Sequence, residues 1–290
     1  MQPRPVFRFA PSPNGELHLG HALSALIGFE RAQALGGSFL LRIEDIDVGR
    51  TRAPFIAGIF EDLRWLGLTW PEPVLYQSQR FAAYRQAAAR LEAMGLIYPC
   101  FATRAEIAEA AGDDQLDPDG APLYPGLFRH RPSAETAARK GKGERFALRL
   151  DMGRALAAAR ARLGGAPLTF MELDAAGAAR PIPAHPERWG DAVLVRKDVP
   201  TSYHLAVVVD DAWQGVTHVT RGRDLFAATD LHRLLQLILD LPQPLYHHHR
   251  LITDAEGRKL AKSAAATSLG QLRRQGLTPA DVRRLIGVAQ

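Results

Sequence analysis

Short apolar runs alternate with longer stretches of helical spacing through the first hundred residues. Val6-Phe7-Arg8-Phe9-Ala10 reads as a strand, stopped by the turn chemistry of Pro11-Ser12-Pro13-Asn14-Gly15. Leu19, Leu23, Leu26 and Ile27 fall at helical intervals, which predicts a helix over Leu19–Leu35 ended by Gly36-Gly37. Ser38–Ile43 is a second strand, with Glu44-Asp45-Ile46-Asp47 at its C-terminal end; helices follow near Pro54–Leu66 and Phe81–Met94. Strand, helix, strand, helix predicts a parallel sheet with crossover helices.

From Tyr98 to about Glu187 the character changes. A polar loop around Asp117-Pro118-Asp119-Gly120 leads to the basic residues Arg129, Arg131, Arg139, Lys140 and Lys142, then to an Ala/Arg-rich helix near Arg154–Leu163. This reads as an inserted α+β unit with a basic face. The α/β pattern resumes with strand-like Ala192–Val195, apolar Tyr203–Asp210, strand-like Val216–Thr220 and the turn Arg221-Gly222-Arg223. An amphipathic helix over Leu225–Leu239 stops before Pro242 and Pro244. The chain closes with a turn at Asp254–Gly257, a basic run and two short helices, the second opened by Thr278-Pro279. The expected organisation is a Rossmann-type α/β catalytic domain in two halves (residues 1–98 and 186–245), an inserted domain (99–185) and a short helical C-terminal region (246–290).

Composition narrows the class. Of 290 residues, 47% are hydrophobic and 23% charged, ordinary globular values that exclude a disordered or fibrous chain. The net charge of +5 suits a polyanionic partner without saying anything of fold. A single cysteine excludes a disulfide framework and a cysteine-rich zinc site. Met1-Gln2-Pro3-Arg4-Pro5 lacks the apolar stretch of a signal peptide, and no apolar run approaches a membrane span, so a cytoplasmic location is expected; a monomer is the expected state, on no sequence feature of its own.

Two segments carry chemistry. His18-Leu19-Gly20-His21 lies where a strand and a Pro-rich turn open a helix, a place whose free N–H groups and positive dipole end suit phosphate. Two imidazoles there can donate to a polyphosphate as charge develops. Lys259-Leu260-Ala261-Lys262-Ser263 follows a glycine turn and supplies two cations three residues apart. Alone, each has a plainer reading: solvated histidines at a helix start, and a basic surface loop.

Together they resemble the paired signatures of class I aminoacyl-tRNA synthetases, usually written HIGH and KMSKS. Arg8–Gly15, Leu41–Asp47, Asp198–Ala206, Val208–Asp211 and Gly215–Gly222 are similar to the glutamyl and glutaminyl branch, in order along residues 5–265. Only about 27 residues follow Ser263, fewer than an anticodon-binding domain needs. The resemblance is therefore to the truncated glutamyl-queuosine tRNA(Asp) synthetase family. It implies ATP-dependent activation of L-glutamate, with Mg²⁺ accompanying ATP, and transfer to the cyclopentene diol of queuosine in the anticodon of tRNA(Asp). It also implies roles. Arg8, Phe9, Ala10, Pro11, Ser12, Glu44, Tyr203 and Arg221 would bind glutamate. His18, Gly20, His21, Lys259, Lys262 and Ser263 would bind ATP, with His18, His21 and Lys262 catalytic. A minimal glutamyl-tRNA synthetase charging a tRNA 3′ end, a nucleotidyltransferase of the same superfamily and a non-catalytic tRNA-binding paralogue stay open as alternatives.

Each of these residues also has an ordinary structural reading: Arg8 an edge-strand charge, Glu44 an acceptor for Arg42 or Arg50, Tyr203 a half-buried tyrosine, Arg221 a solvated turn residue. In many relatives the insert carries a zinc site; here Cys100 and Tyr124 keep two ligand positions while Ala102 and Phe128 occupy the others, so no zinc is expected. His247-His248-His249 cannot converge on one ion along a strand, and His248 fits a position that frames the nucleotide. Asp210-Asp211 is expected to serve a helix-end structural role, with contact to the substrate ammonium or Mg²⁺ as the lesser alternative.

Overall fold

A computed structural model of the chain describes residues 4–111, 115–252 and 267–288. In chain order the elements are β1 (Val6–Phe9), α1 (Leu19–Ala34), β2 (Ser38–Ile43), α2 (Ala53–Trp65), β3 (Leu75–Tyr76), α3 (Phe81–Ala93), β4 (Ile97–Cys100), α4 (Arg104–Ala110) and α5 (Ser133–Gly141). They continue with β5 (Ala147–Leu150), α6 (Met152–Arg162), β6 (Thr169–Leu173), β7 (Ala179–Pro183), β8 (Val193–Val195), α7 (Tyr203–Trp213), β9 (His218–Gly222), α8 (Ala228–Ile238), β10 (Leu245–His249), α9 (Leu269–Arg274) and α10 (Pro279–Ile286).

The main sheet has seven strands in the order β3-β2-β1-β9-β10-β6-β7. It is parallel except for the β6–β7 hairpin. The chain winds outward from β1 to β2 and β3 on one side, while β9 and β10 continue the sheet on the other. The boundary between β1 and β9 is a topological switch point, and in open α/β sheets ligands sit beyond the strand C-termini at such a point.

Each half has its own core. Phe7, Leu23, Leu26, Leu41, Leu63, Val282 and Ile286 pack the N-terminal half, so α10 closes on α1 rather than standing apart. Leu91, Leu150, Leu194, Leu205, Leu231 and Leu235 pack the second half. Each such side chain contributes roughly 1.5–3 kcal/mol of transfer free energy on burial.

Three differences from the sequence reading follow from pairing that local pattern does not encode. β6 and β7 lie within the 99–185 segment, yet β6 pairs with β10 and extends the main sheet. Conversely β4, which straddles the expected 98/99 boundary, and β8, from the second catalytic segment, join β5 in a separate three-stranded antiparallel sheet. Arg221 belongs to strand β9 rather than a turn, because its backbone pairs in register with His248 of β10. The apolar stretch from Tyr203 is helix α7 despite three consecutive valines: it is buried between α3 and α8, and tertiary packing overrides β-branched propensity.

Candidate active site

A cavity of about 480 Å³ opens at the switch point. Its walls gather every described residue singled out for glutamate (Arg8, Phe9, Ala10, Pro11, Ser12, Glu44, Tyr203 and Arg221) and, for ATP, His18, Gly20 and His21. Lys259, Lys262 and Ser263 lie outside the described residues. The segments flanking that run reach the same place: Ile252 lines the cavity, and Ser268 bridges His18, with Leu269 N–H donating to Leu17 O at 2.8 Å.

His18 is the N-cap of α1, and its Nδ1 accepts from Gly20 N–H at 3.1 Å. His21 Nδ1 accepts from His18 N–H at 3.2 Å, so the two rings form a reciprocal cap with centroids 3.9 Å apart. With Nδ1 accepting, each neutral ring carries its proton on Nε2. Gly20 serves His18 directly: a Cβ there would lie 2.9 Å from His18 Cε1. The face of this glycine is thus covered by the imidazole of His18.

One wall is an ion cluster. Arg8 Nε and Nη2 donate to the two oxygens of Asp211 at 3.1 and 3.3 Å. Arg42, fully buried at 0% exposure, donates to Asp211 Oδ1 at 2.7 Å and to Glu44 Oε1 at 3.2 Å. Burial alone would raise the Asp211 carboxyl, but the Arg8 and Arg42 guanidiniums outweigh it and hold the group below its ordinary range. Glu44 goes the other way: burial dominates, and its pKa is raised despite Arg42 and Arg8. The Arg8 strand is central, flanked by β2 and β9, so Arg8 is no edge-strand surface charge.

The opposite wall holds a cation differently. Arg221 is only 4% exposed. Its Nε donates to His248 Nε2 at 3.1 Å, Nη1 reaches Tyr203 Oη and His232 Nδ1, each at 3.3 Å, and Nη2 donates to Thr229 Oγ1 at 2.6 Å. Among the described residues no carboxylate ion-pairs with this guanidinium. Burial pushes the His248 and His204 imidazoles down to about 4, and burial and Arg221 together push His232 well below its ordinary value, so all three stay neutral. A buried cation without a counter-ion is unfavourable unless a ligand supplies the charge. The arrangement is suited to a carboxylate on Arg221, an ammonium near Glu44, and phosphate beside the two imidazoles.

Some expectations land elsewhere. His248 does not line the cavity; it is buried behind Arg221, and its neighbour His249, held between Ser24 Oγ at 2.6 Å and the Arg250 carbonyl at 2.8 Å, lines the wall instead. His247 donates to Leu173 O at 3.0 Å, so the three imidazoles have separate partners. Asp210 is wholly internal, accepting from Gln77 Nε2 at 3.0 Å, Arg80 Nε at 2.6 Å and Tyr84 Oη at 2.6 Å. Cys100, Ala102 and Tyr124 form a small apolar cluster flanked by Phe128, in which Tyr124 Oη accepts from Cys100 Sγ at 3.3 Å and from Phe128 N–H at 2.9 Å. Two donor atoms cannot complete a four-ligand zinc site. Of the basic residues, Arg129 pairs with buried Asp191 at 2.6 Å, Arg139 with Glu144 at 2.7 Å and Lys140 with Glu92 at 4.0 Å. The expected Arg42–Glu44 pairing is present, whereas sequence reasoning misses the Asp211 bridge to Arg8 and Arg42 and the Thr229 and His232 support of Arg221, which arise only when α7 and α8 pack on the sheet.

This fold and site define a class I synthetase-like catalytic domain. Residues 6–288 match the family model described as tRNA synthetases class I (E and Q), catalytic domain. A "Glutamyl-Q tRNA(Asp) synthetase" from Rhodobacter capsulatus is 47% identical over 98% of this chain and 100% of the relative, and one from Symbiobacterium thermophilum is 40% identical over 95% and 83%. The solved glutamate-tRNA synthetase of Elizabethkingia anophelis superposes with a TM-score of 0.71 at 25% identity; the match covers 95% of this chain and 54% of that one. The chain belongs to the glutamyl and glutaminyl family of class I tRNA synthetases. Among the described residues no helix is long and apolar enough to cross a membrane.

Proposed function

We propose that the chain activates L-glutamate with ATP to glutamyl-adenylate and transfers the glutamyl group to the cyclopentene diol of queuosine in tRNA(Asp). The observation that carries the reading is Arg221, a buried guanidinium without a carboxylate partner among the described residues, facing Arg8, Glu44 and the His18–His21 cap across one cavity. The names of the Rhodobacter and Symbiobacterium relatives support the acceptor.

The substrate's α-carboxylate must attack the α-phosphorus, so the permanent grip of Arg221 falls to the side-chain carboxylate. Glu44 takes the ammonium. Glutamate oxygen attacks phosphorus and pyrophosphate leaves, so no protein nucleophile is needed; positioning and charge stabilisation do the work. The Nε2–H groups of His18 and His21 donate to ATP, and Lys262, with Lys259, neutralises the leaving pyrophosphate. Mg²⁺ travels with ATP through its phosphate oxygens. The insert folds without zinc, and stoichiometric zinc in the purified chain would overturn that part.

Glutamate-dependent exchange of pyrophosphate into ATP tests the first step. Transfer to tRNA(Asp) with queuosine, but not to tRNA(Asp) lacking it or to tRNA(Glu), tests the second. Charging of tRNA(Glu) instead would favour a minimal glutamyl-tRNA synthetase.

A further inference from the structure

The polar chain behind Arg221 extends further than substrate binding requires. Arg221 Nε–H is an obligate donor and points at His248 Nε2, 3.1 Å away. That nitrogen must present a lone pair, so the ring proton sits on Nδ1. Nδ1–H donates to Glu172 Oε2 at 2.8 Å, while the other carboxylate oxygen accepts the backbone N–H of the same histidine at 2.9 Å. Glu172 comes from β6, His248 from β10 and Arg221 from β9, three neighbouring strands, so the relay crosses the sheet. The ring has no room to turn. Tyr246 stacks parallel to it at 5.9 Å between centroids, and Phe226 and Phe170 meet it edge-on at 4.9 and 6.5 Å. Thr229 Oγ1, itself an acceptor for Arg221, lies 3.1 Å from the same His248 nitrogen.

We propose that Glu172 is a positioning residue for substrate selection: through His248 it fixes which imidazole nitrogen is bare, and so aims the Arg221 guanidinium at the substrate's side-chain carboxylate. Glu172 never reaches the substrate. Its negative charge stays one ring away from the guanidinium, which leaves a charge demand that a dicarboxylic amino acid meets and a carboxamide does not. The inference rests on the glutamate-activation reading above.

Glu172→Gln tests it at nearly constant shape. The substituted amide offers a single acceptor oxygen to the two N–H groups of His248. If its NH₂ faces Nδ1, the ring proton moves to Nε2 and opposes Arg221 Nε–H. We expect the KM for glutamate in pyrophosphate exchange to rise about tenfold or more, with the KM for ATP within about twofold. The double variant E172Q/H248Q should recover most of the loss. An amide in place of the imidazole can turn its oxygen to Arg221 and its NH₂ to the carboxamide that replaces Glu172, without any tautomer. A glutamate KM that does not move, or KM values for glutamate and ATP that rise together with no recovery in the double variant, overturns the proposal in favour of a merely structural carboxylate. Should E172Q fail to fold, His248→Leu decides: it removes the acceptor of Arg221 Nε–H at similar volume, so the glutamate KM must rise about tenfold with the ATP KM within about twofold, and a glutamate KM that does not move overturns the relay. Absence of glutamate-dependent exchange in the unaltered chain overturns the functional reading itself, whereas normal exchange with an unmoved KM in E172Q overturns this inference alone.

Discussion

Across one cavity the protein keeps buried arginines in two ways. On the β1–β2 side, Arg8 and Arg42 share Asp211, with Glu44 alongside, so the charges are nearly matched before any ligand arrives. On the β9–β10 side, Arg221 is held by a tyrosine, a threonine and two neutral imidazoles, all of which satisfy its N–H groups without cancelling its charge. The first wall is charge-matched within the protein, and the second keeps a charge that no carboxylate among the described residues pairs with. Hydrogen bonding and charge compensation are separate requirements, and a site can meet one while leaving the other to its substrate.

The comparison breaks most sharply at Arg221. Arg221→Met should lower kcat/KM for glutamate activation by about three orders of magnitude, since several charge-assisted bonds go at once. The same change should leave the unfolding midpoint level or higher, because a buried uncompensated charge is removed. A large drop in Tm would show that the lost hydrogen bonds to Tyr203, Thr229, His232 and His248 outweigh the relief of the buried charge.

Asp211→Asn is the mirror experiment. It takes the shared counter-ion from two buried guanidiniums, leaving Arg42 with Glu44 alone, and should cost about 3–5 kcal/mol in denaturant unfolding. A cost below about 1 kcal/mol would mean that the Asp211 wall is solvated and ordinary.

Acid should separate the walls by pH. Unfolded histidines take a proton near pH 6.5, as a rough reference. In the folded chain burial holds His204 and His248 near 4 and His232 well down. Between those values the unfolded chain binds more protons. Stability is therefore full above about pH 6.5 and declines toward 4, by roughly 1 kcal/mol per pH unit for each histidine. Asp211 has a lowered folded pKa, so its contribution persists until pH falls below the ordinary aspartate value of about 3.9. Urea unfolding that is flat between pH 7 and 5 would contradict neutral imidazoles behind Arg221.

The smallest effect belongs to the helix start that both walls face. Gly20→Ala puts a methyl against His18, and displacing that ring should reduce kcat about tenfold while unfolding free energy changes by less than about 1 kcal/mol. Unchanged kcat would remove His18's orientation from the mechanism.

Much of the molecule is legible in the chain. The strand–turn–helix at Val6–Ala34 and the helices near 54–66 and 81–94 follow from periodicity and glycine stops, and the structure's boundaries differ by a residue or so. The residues set aside for glutamate and the three for ATP in the His18 turn do meet at one cavity, because signature spacing encodes the strand ends that converge there. What cannot be read is long-range. Nothing near Asp211 in sequence announces Arg8 and Arg42, which are 203 and 169 residues away. Sequence reasoning sets His248 at the nucleotide because local context cannot tell which face of β10 a histidine takes; its pairing with Glu172 depends on β6 joining the main sheet, a strand partnership that the expected domain boundaries hide.

Trp189 gives the histidine side of this site a built-in optical gauge. Its indole lies edge-on to His204 at 4.8 Å between ring centroids and donates to Ala227 O at 3.1 Å, and His204 in turn contacts His232, which touches Arg221. An imidazolium dims a neighbouring indole where a neutral imidazole does not. With Trp65, Trp70 and Trp213 replaced, the emission of Trp189 therefore follows the protonation of His204 beside it.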